Sequence, residues 1–591
     1  MAQINRDRIE NLRREMRREG MDWYIVPTDD YHISEYVGDY FKSRAWLSGF
    51  NGSAGVLLVG LTDAYLWTDG RYFLQAAAEL KDSGVTLMKQ GEPGVPDIDQ
   101  FLKKNAKGKT IGYDGKTMSF SFGQKIKNAL RDSETLYITD LDLVNRVWVG
   151  RPKMSEEKIF ILGTEYAGRT VAEKLIDLRN ELIERDCDAI LIPALDEVAW
   201  LFNFRGNDVL YTPVALSYAI VTKYSAILYI SENALDGNLL SYFEMNGITV
   251  KNYFKVYEDV FALKGKTLVD PNSTNELLIS SLPAPVFAES PVRVAKATKN
   301  ATELENIRIA HLKDGIALTK AIYWLKKSAE NGEIYNETEM SVAEKWTEFR
   351  KAQGDVLELS FDSIVATGDH SPVIHYEPTP ETDRKIQEGF LLLDTGAQYL
   401  QGTTDVTRTV SIGKVDRKMK LRYTAVLKGH LDLAMAKFPV GTLGNSLDAI
   451  ARRPIWDIGL DYNHGTGHGV GYLLGVHEGP NCVRRMAPGA AYGLPLKSGM
   501  VTSDEPGIYL EGEYGIRIEN LFVTVPVENY PNFLTFDMLT LVPYDRESIN
   551  FFDLSEEEMR YLESYNRNLL EKVGPFLTED ELAWLKEEVT F

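Results

Sequence analysis

Hydrophobic periodicity divides the first part of the chain into helix-like and strand-like stretches. A helical pattern over Arg6–Gly20 is followed by the apolar run DWYIVP (Asp22–Pro27), which is typical of a strand. The next two apolar stretches, WLSGFNGSAGVLLVG (46–60) and AYLWTDGRYFLQAA (64–77), predict strand, turn, strand and then helix. The pattern therefore predicts an α/β unit at the start of the chain.

The same order of elements returns further along the chain. Residues 169–187 are helix-like, 188–200 contain the apolar run DAILIP, and 217–230 predict two strands with a turn. DWYIVP followed by WLSGF in the first stretch matches DAILIP followed by WLFNF in the second. We therefore expect two copies of one α/β unit, with a polar boundary at 150–158.

A third segment begins with a long helical pattern over 297–327, for which Thr302 and Glu305 have roughly the spacing of a capping box. A second helix is predicted at Glu339–Gln353, then several β-rich stretches, and finally acidic amphipathic helices that pack rather than catalyse. We predict an α/β (α+β) protein of three domains, at 1–156, 157–297 and 298–591.

Composition narrows the class of protein. A chain of 591 residues is too long to fold around a single hydrophobic core. Its 44% hydrophobic and 26% charged residues are ordinary for a globular protein. The net charge of −21 argues against binding nucleic acid. We find no apolar run that spans a bilayer and no signal-peptide core, and Cys187 and Cys482 are expected to be reduced. These features indicate a cytoplasmic protein without a membrane partner.

The unusual chemistry lies in the last segment, which holds seven of the eight histidines. Asp394 ends the apolar run LLLD, and Asp405 follows in the polar run TTDVTRT. A turn between them would pair two strands and bring the carboxylates together, where they need a cation or protons between them. Two exposed turn aspartates are the alternative for this element alone.

Two more elements add histidines and carboxylates. The stretch HGTGHGVGYLLGVHEGP (464–480) contains His464, His468 and His477 among glycines that let the backbone fold tightly beneath the imidazoles. In SDEPGIYLEGEYGIRIEN, Glu505 precedes a Pro-Gly turn, and Arg517 shares a strand face with Glu519. A packed histidine loop and an exposed Arg–Glu ladder are the structural alternatives.

Together the three elements offer four carboxylates and one imidazole. Oxygen-rich sites of this kind favour Mn²⁺, Mg²⁺ or Fe²⁺, although Zn²⁺ and Co²⁺ can occupy them. Four anionic ligands exceed the need of one divalent ion, which indicates two.

These motifs resemble those of the pita-bread metallopeptidases. The matching runs are LLLDTG, TTDVTRT, HGTGHGVG, VHEGP, SDEPGIY and GIRIEN. In the N-terminal half, WLSGFNGSAG and LWTDGRYFLQAA resemble the long, three-domain form of the aminopeptidase P family. The resemblance implies two creatinase-like domains before a pita-bread catalytic domain. It also implies a cytosolic homodimer with two divalent ions, expected to be Mn²⁺, that removes the first residue of peptides with proline second.

The resemblance also assigns roles to individual residues. The implied metal ligands are Asp394, Asp405 (bridging or bidentate), His468, Glu505 and Glu519. The resemblance also implies five residues that bind substrate or support the metal ligands from behind, which are Arg71, His375, His464, His477 and Arg517. A hydroxide between the ions attacks the carbonyl, Glu505 carries the proton, and His375 or His477 stabilises the oxyanion.

Other readings remain open at this point. A prolidase cleaves only X-Pro dipeptides and is expected to have a two-domain plan. A methionine aminopeptidase does not need the N-terminal domains, and creatinase relatives lack the full ligand set. A non-enzymatic binding module of the same fold should show broken ligands, whereas all five are present here.

Overall fold

The computed structural model describes residues 2–485 and 493–590. The chain divides into two compact units, one comprising Met1–Gly163 with Arg169–Arg293 and the other Thr164–Gly168 with Val294–Phe591. None of the helices in the described ranges combines the length and apolar character needed to cross a bilayer.

The first copy of the repeated unit is a six-stranded sheet flanked by helices, in the strand order β4-β3-β2-β1-β5-β6. Helix α1 packs on it because Ile9, Leu12 and Met16 form one buried face. The strands are β1 (Trp23–Pro27), β2 (Val56–Gly60), β3 (Ala64–Thr68), β4 (Thr86–Lys89), β5 (Thr110–Gly112) and β6 (Leu136–Ile138). The helices are α1 (Ala2–Arg18), α2 (Ser43–Ser48), α3 (Phe73–Glu79), α4 (Ile98–Asn105), α5 (Phe120–Ala129) and α6 (Leu143–Val147).

The second copy repeats this topology, with the order β12-β11-β10-β8-β13-β14. In both copies the central strand pairs antiparallel with the next long strand and parallel with the fifth. The predicted duplication is therefore confirmed. The strands are β7 (Phe160–Ile161), β8 (Ala189–Ile192), β9 (Phe204–Arg205), β10 (Ser217–Thr222), β11 (Ala226–Ile230), β12 (Ile248–Asn252), β13 (Thr267–Val269) and β14 (Pro285–Phe287). The helices along this stretch of the chain are α7 (Thr164–Ala167), α8 (Val171–Glu184), α9 (Leu195–Leu201), α10 (Gly237–Met245), α11 (Val256–Asp259), α12 (Glu276–Ser281) and α13 (Pro291–Ala297), of which α7 belongs to the other compact unit.

The last part of the chain surrounds a group of short sheets with helices. Its strands are β15 (Val356–Leu359), β16 (Ile364–Thr367), β17 (Gly389–Thr395), β18 (Ala397–Tyr399), β19 (Gly402–Thr403), β20 (Val406–Ile412), β21 (Lys437–Pro439), β22 (Gly467–His468), β23 (Cys482–Val483), β24 (Val501–Asp504), β25 (Gly507–Tyr509), β26 (Gly515–Arg517), β27 (Asn520–Val527) and β28 (Tyr530–Met538). Its helices are α14 (Ala301–Glu330), α15 (Glu339–Lys351), α16 (Arg417–Ala434), α17 (Asp448–Trp456), α18 (Glu556–Val573) and α19 (Glu579–Glu588).

The start of the long helix differs from the prediction. The capping box is formed by Asn300 and Glu303 rather than by Thr302 and Glu305, so the helix starts at Ala301. The Asn300 side chain accepts from the Glu303 amide and the Glu303 carboxylate accepts from the Asn300 amide. Asparagine is as good an N-cap residue as threonine, and the sequence offered both pairs.

A hydrophobic core of 36 buried residues lies in the unit that comprises Val294–Phe591. It joins α14, α15, α16 and the C-terminal helices to strands β17 and β20. The predicted packing role of the acidic C-terminal helices is confirmed, because Leu562, Leu569 and Leu585 are fully buried in this core. The strands that carry the candidate site are therefore fixed from behind by well-packed helices.

Candidate active site

The predicted hairpin is present and brings two aspartates to one end of a strand pair. Strands β17 and β20 are antiparallel, with Asp394 opposite Thr407. Asp405 directly precedes β20, so it lies at the same end as Asp394. The chain between them also forms β18 and β19, which belong to a separate sheet in which β18 lies between β15 and β19. Asp394 is 8% exposed and Asp405 is 4% exposed, which excludes two solvated turn aspartates.

His468 lies between the hairpin and the third element. Its Nε2 is 3.4 Å from Asp405 Oδ2 and 3.4 Å from Glu505 Oε1. Its backbone amide donates to Ser503 Oγ at 2.9 Å, which holds β22 against β24. A Cβ at Gly467 would lie 1.9 Å from the Ser503 carbonyl oxygen, so only glycine permits this approach. The predicted tight backbone beneath the imidazole is confirmed here.

Glu519 and Arg517 close the site from the side of β26 and β27. Both side chains are 1% exposed, so they do not form a surface ladder. Arg517 Nη2 is 2.5 Å from Asp394 Oδ2, and its Nη1 donates to the Tyr509 hydroxyl at 2.9 Å. Thr407 Oγ1 donates to Glu519 Oε2 at 2.8 Å. The guanidinium thus orients Asp394, while Thr407 orients Glu519.

Burial and mutual repulsion disfavour the ionised form of the carboxylates in this cluster. Burial raises the pKa of Asp405 well above its usual value, and Asp394 and Glu505 raise it further. Burial also raises the pKa of Glu505, helped by Glu519, and that of Glu519, helped by Asp405. Each carboxylate therefore disfavours ionisation of its neighbours, and either protons or cations must offset the repulsion.

The donor set fits divalent cations. One ligand atom each from Asp405, His468 and Glu519 lies within 4.8 Å of the others. Asp394 Oδ1 and Glu519 Oε1 are buried without a hydrogen-bond partner. A buried carboxylate oxygen that lacks a partner is costly unless a metal ion or a proton satisfies it. The chemistry of these side chains, with one imidazole among carboxylates, suits metals that prefer oxygen ligands.

Two further histidines line the cluster. The rings of His468 and His477 meet edge to face, with centroids 4.4 Å apart. His464 Nε2 is 2.8 Å from the Tyr509 hydroxyl oxygen, and its Nδ1 is 4.0 Å from Glu505 Oε2. The structure therefore brings both histidines to the predicted site.

His375 lies on a half-buried loop that packs against the same strands. The amide of Gly515 in β26 donates to Ser371 Oγ at 2.7 Å, which fastens the start of this loop. On the far side of His375, the Tyr376 hydroxyl donates to the buried carboxylate of Glu339 at 2.8 Å. The loop that carries His375 is thus held at both ends.

Arg71 belongs to the other compact unit. Its guanidinium binds Asp69 through two bonds of 2.9 Å and lies 3.3 Å from Glu35. The Asp69 side chain also caps the short helix that begins at Gly70. These contacts describe a structural role at the strand–helix turn, and its predicted reach towards substrate stays a prediction.

Sequence reasoning missed two residues that organise the site, Tyr509 and Thr407. Tyr509 connects His464 to Arg517, and Thr407 connects Arg517 to Glu519. Period-two spacing could have found Thr407, which is two residues after Asp405 along β20, whereas the Pro-Gly turn after Glu505 breaks any such signal for Tyr509. Residues at even spacing along an extended segment share a face with the proposed ligand.

Family models match the chain in four consecutive stretches. Residues 8–146 and 150–303 each match a creatinase/prolidase N-terminal domain. Residues 305–526 match metallopeptidase family M24, and 532–590 match the C-terminal region of peptidase M24. The two N-terminal matches coincide with the two repeated sheets.

Similar proteins cover the whole chain. A probable Xaa-Pro aminopeptidase P from Sordaria macrospora is 40% identical over 99% of both chains. Aminopeptidase P1 from Arabidopsis thaliana is 38% identical over 96% of both. The crystal structure of an X-prolyl aminopeptidase from Caenorhabditis elegans, described as a cytosolic enzyme with a di-nuclear active site, superimposes with a TM-score of 0.95. It is 36% identical, with coverage of 100% of this chain and 99% of that one.

Fold and site together define the class: a pita-bread metallopeptidase with two creatinase-like domains before its catalytic domain. The chain belongs to metallopeptidase family M24 and, within it, to the three-domain Xaa-Pro aminopeptidase P group.

Proposed function

We propose that this chain removes the N-terminal residue from peptides whose second residue is proline. The observation that carries the proposal is the convergence of four buried or half-buried carboxylates on one imidazole, with buried oxygens of Asp394 and Glu519 that lack a hydrogen-bond partner. Relatives at about 40% identity over the full chain carry this activity in their names, which supports the substrate class.

Two divalent ions are held in this proposal by the side chains of Asp394, Asp405, His468, Glu505 and Glu519. Asp394 would offer Oδ1 to an ion, because its Oδ2 is held by Arg517 and its Oδ1 has no hydrogen-bond partner. Glu519 similarly offers Oε1, because its Oε2 accepts from Thr407. When bound, the ions activate a water as the nucleophile and take up negative charge in the transition state.

The chain supplies the proton transfer and the positioning. Glu505 keeps 18% of its side chain exposed, so its carboxylate is accessible as the group that takes up a proton and passes it to the leaving nitrogen. His477 and His375 donate to the developing oxyanion, a role worth about 10²-fold in rate. His464, fixed by Tyr509, lines the substrate cleft.

Proline recognition must rely on shape. The proline nitrogen is tertiary in the substrate and has no N–H to donate, so the site cannot select it by a hydrogen bond to that atom. The restricted geometry of the ring and of the preceding peptide bond is what the pocket can read.

The proposal is tested by incubating the full chain with Mn²⁺ and three peptides, Arg-Pro-Pro, Gly-Pro and Met-Ala-Ser. We expect release of arginine from the first peptide alone. Cleavage of Gly-Pro alone would reassign the chain to the prolidases, and cleavage of Met-Ala-Ser alone to the methionine aminopeptidases. The Asp405→Ala variant serves as the inactive control.

The proposal extends to the metal, the assembly and the location. The oxygen-rich donor set favours Mn²⁺ over Zn²⁺ or Co²⁺, and elemental analysis should find two equivalents per chain. The resemblance to the aminopeptidase P family supports a homodimer, so light scattering should give about twice the chain mass of 66.7 kDa. The cytosolic description of the nematode relative supports a cytosolic location, which imaging of a tagged chain tests.

A further inference from the structure

A chain of buried polar side chains lies behind two of the proposed ligands. His430, on α16, places Nδ1 3.0 Å from Asp504 Oδ2 and 3.1 Å from the Asp504 backbone oxygen. Its Nε2 is 2.9 Å from the Tyr544 hydroxyl oxygen. His430 and Asp504 are both fully buried, and Tyr544 is 4% exposed. Asp504 is the residue immediately before the proposed ligand Glu505.

The chain continues to the other ligand strand. Asn520 Nδ2 donates to the Tyr544 hydroxyl at 2.7 Å, and Arg408 Nη2 donates to Asn520 Oδ1 at 2.8 Å. Arg408 Nη1 also donates to the backbone oxygen of Glu519 at 2.7 Å. Asn520 is the residue immediately after Glu519, so each end of the network is fixed to a neighbour of a proposed ligand.

The strand register explains how this network controls the relative positions of Glu505 and Glu519. Asp504 and Asn520 lie directly opposite each other in the antiparallel pair β24–β27. Glu505 and Glu519 extend from this pair at the same end, beyond the last register partners. The distance and angle between the two carboxylates therefore depend on how these strand ends are held, and the network from Asp504 to Asn520 holds them from the side away from the site.

Because the polar side chains of this network are buried, keeping them there only to fill space would be energetically costly. An imidazole, a phenol, an amide and a guanidinium are buried here with hydrogen-bond partners that offset their desolvation. The Asp504 carboxylate makes no hydrogen bond and has the 3.0 Å ion-pair contact with His430 Nδ1, while the Asp504 backbone oxygen makes the hydrogen-bonded link to His430. Apolar side chains of similar size would fill the same space without that requirement.

We propose that His430 and Tyr544 are positioning residues for the metal centre, which hold Glu505 and Glu519 at the separation that two divalent ions require. The inference rests on the ligand assignment of the proposed function. Groups that orient metal ligands typically change metal affinity about 10- to 100-fold when removed.

The test compares Mn²⁺ binding to the metal-free full chain by isothermal titration calorimetry for two variants, Tyr544→Phe and His430→Asn. Tyr544→Phe removes one hydroxyl and keeps the ring, so the fold is retained even where His430→Asn unfolds the protein. Each variant has a matched control in the same half of the chain. Tyr423→Phe removes a buried hydroxyl that accepts from the Asp545 amide, and His311→Asn removes a buried imidazole on α14.

We expect Tyr544→Phe to weaken the binding of at least one Mn²⁺ about 10-fold, while both controls keep wild-type affinity. A lower melting temperature of metal-free Tyr544→Phe with unchanged Mn²⁺ affinity would show ordinary packing and overturn the inference. An equal loss of affinity in Tyr423→Phe would overturn it as well. Asp405→Ala separates the two hypotheses: if it retains both Mn²⁺ ions, the ligand assignment itself fails, whereas loss of binding there confirms the site on which Tyr544 is tested.

Discussion

The carboxylates of the site repel one another unless cations lie between them, and this determines what their removal does. Replacing Asp405 or Glu505 by Ala takes away a proposed ligand and should abolish turnover. Because the lost group was a buried or half-buried acid among like charges, the fold should survive its removal.

The measurement is turnover of an X-Pro peptide together with the melting temperature of the metal-free variant. Glu511→Ala removes an exposed carboxylate from the turn between β25 and β26 and is the matched control. Near-normal rates in Asp405→Ala or Glu505→Ala would contradict the ligand assignment.

His477 makes a second prediction at the scale of single residues. Its ring packs edge to face on His468 but belongs to the proposed oxyanion-binding set, so His477→Ala should lower kcat about 10²-fold while two metal ions remain bound. Kinetics and elemental analysis of the same preparation check this. Loss of metal from the variant would make His477 a ligand and require a different mechanism.

Site residues that lie close together in sequence were easier to predict than contacts between residues that only the folded chain brings together. Asp394 and Asp405 lie on one hairpin, whose turn and strand pattern local sequence encodes. The approach of His468 to Asp405, and of Thr407 to Glu519, depends on pairing between distant segments that no local pattern encodes. The grouping of His468 with Asp405 was expected only through resemblance, whereas the Thr407–Glu519 contact and the network through His430 were not predicted at all.

At the scale of elements, the last helix is joined to the core by a titratable contact. Glu588, at the end of α19, accepts from the Arg546 amide at 2.7 Å. Burial and the nearby Asp545 raise its pKa to about 7, while Lys326 acts in the opposite direction. The folded state therefore keeps a proton that the unfolded state releases, and stability falls as pH rises from about 4.5 to about 7.

Replacing Glu588 by Gln removes this proton linkage. The melting temperature of the variant should decline less than that of the wild type between pH 5 and about 7.5, since one proton is worth up to about 1.4 kcal/mol per pH unit. Glu587→Gln, at the exposed neighbouring position, is the control. Parallel pH profiles for Glu588→Gln and the wild type would contradict the raised pKa.

Helices and strands with strong hydrophobic periodicity were predicted well, whereas the residues at which they begin and end were predicted less well. The helix predicted at 297–327 spans Ala301–Glu330, because Asn300 rather than Thr302 caps it. The short strands β22 and β23, of two residues each, have no periodicity to detect. They exist because glycines let His468 and Cys482 pair in a tight loop, which is a property of the folded backbone.

At the scale of the whole molecule, the repeat was visible in sequence because both copies keep the same order of apolar runs. The two copies lie in one compact unit, and the domain boundaries expected at 156 and 297 stay predictions. Apolar patterns show which segments form a sheet, but they do not show how many sheets share one cooperative body.

This division predicts how metal affects unfolding. All five proposed ligands lie in the unit comprising Thr164–Gly168 with Val294–Phe591, so a metal ion stabilises that unit and not the other. Calorimetry of the metal-free chain should show two transitions, and Mn²⁺ at about 100 times its Kd should stabilise one of them by about 2.7 kcal/mol. The Asp405→Ala variant should keep both transitions but lose the shift. A single transition that Mn²⁺ shifts as a whole would show that the two units unfold as one cooperative body. An unshifted pair of transitions in the wild type would argue against a metal site in the catalytic half.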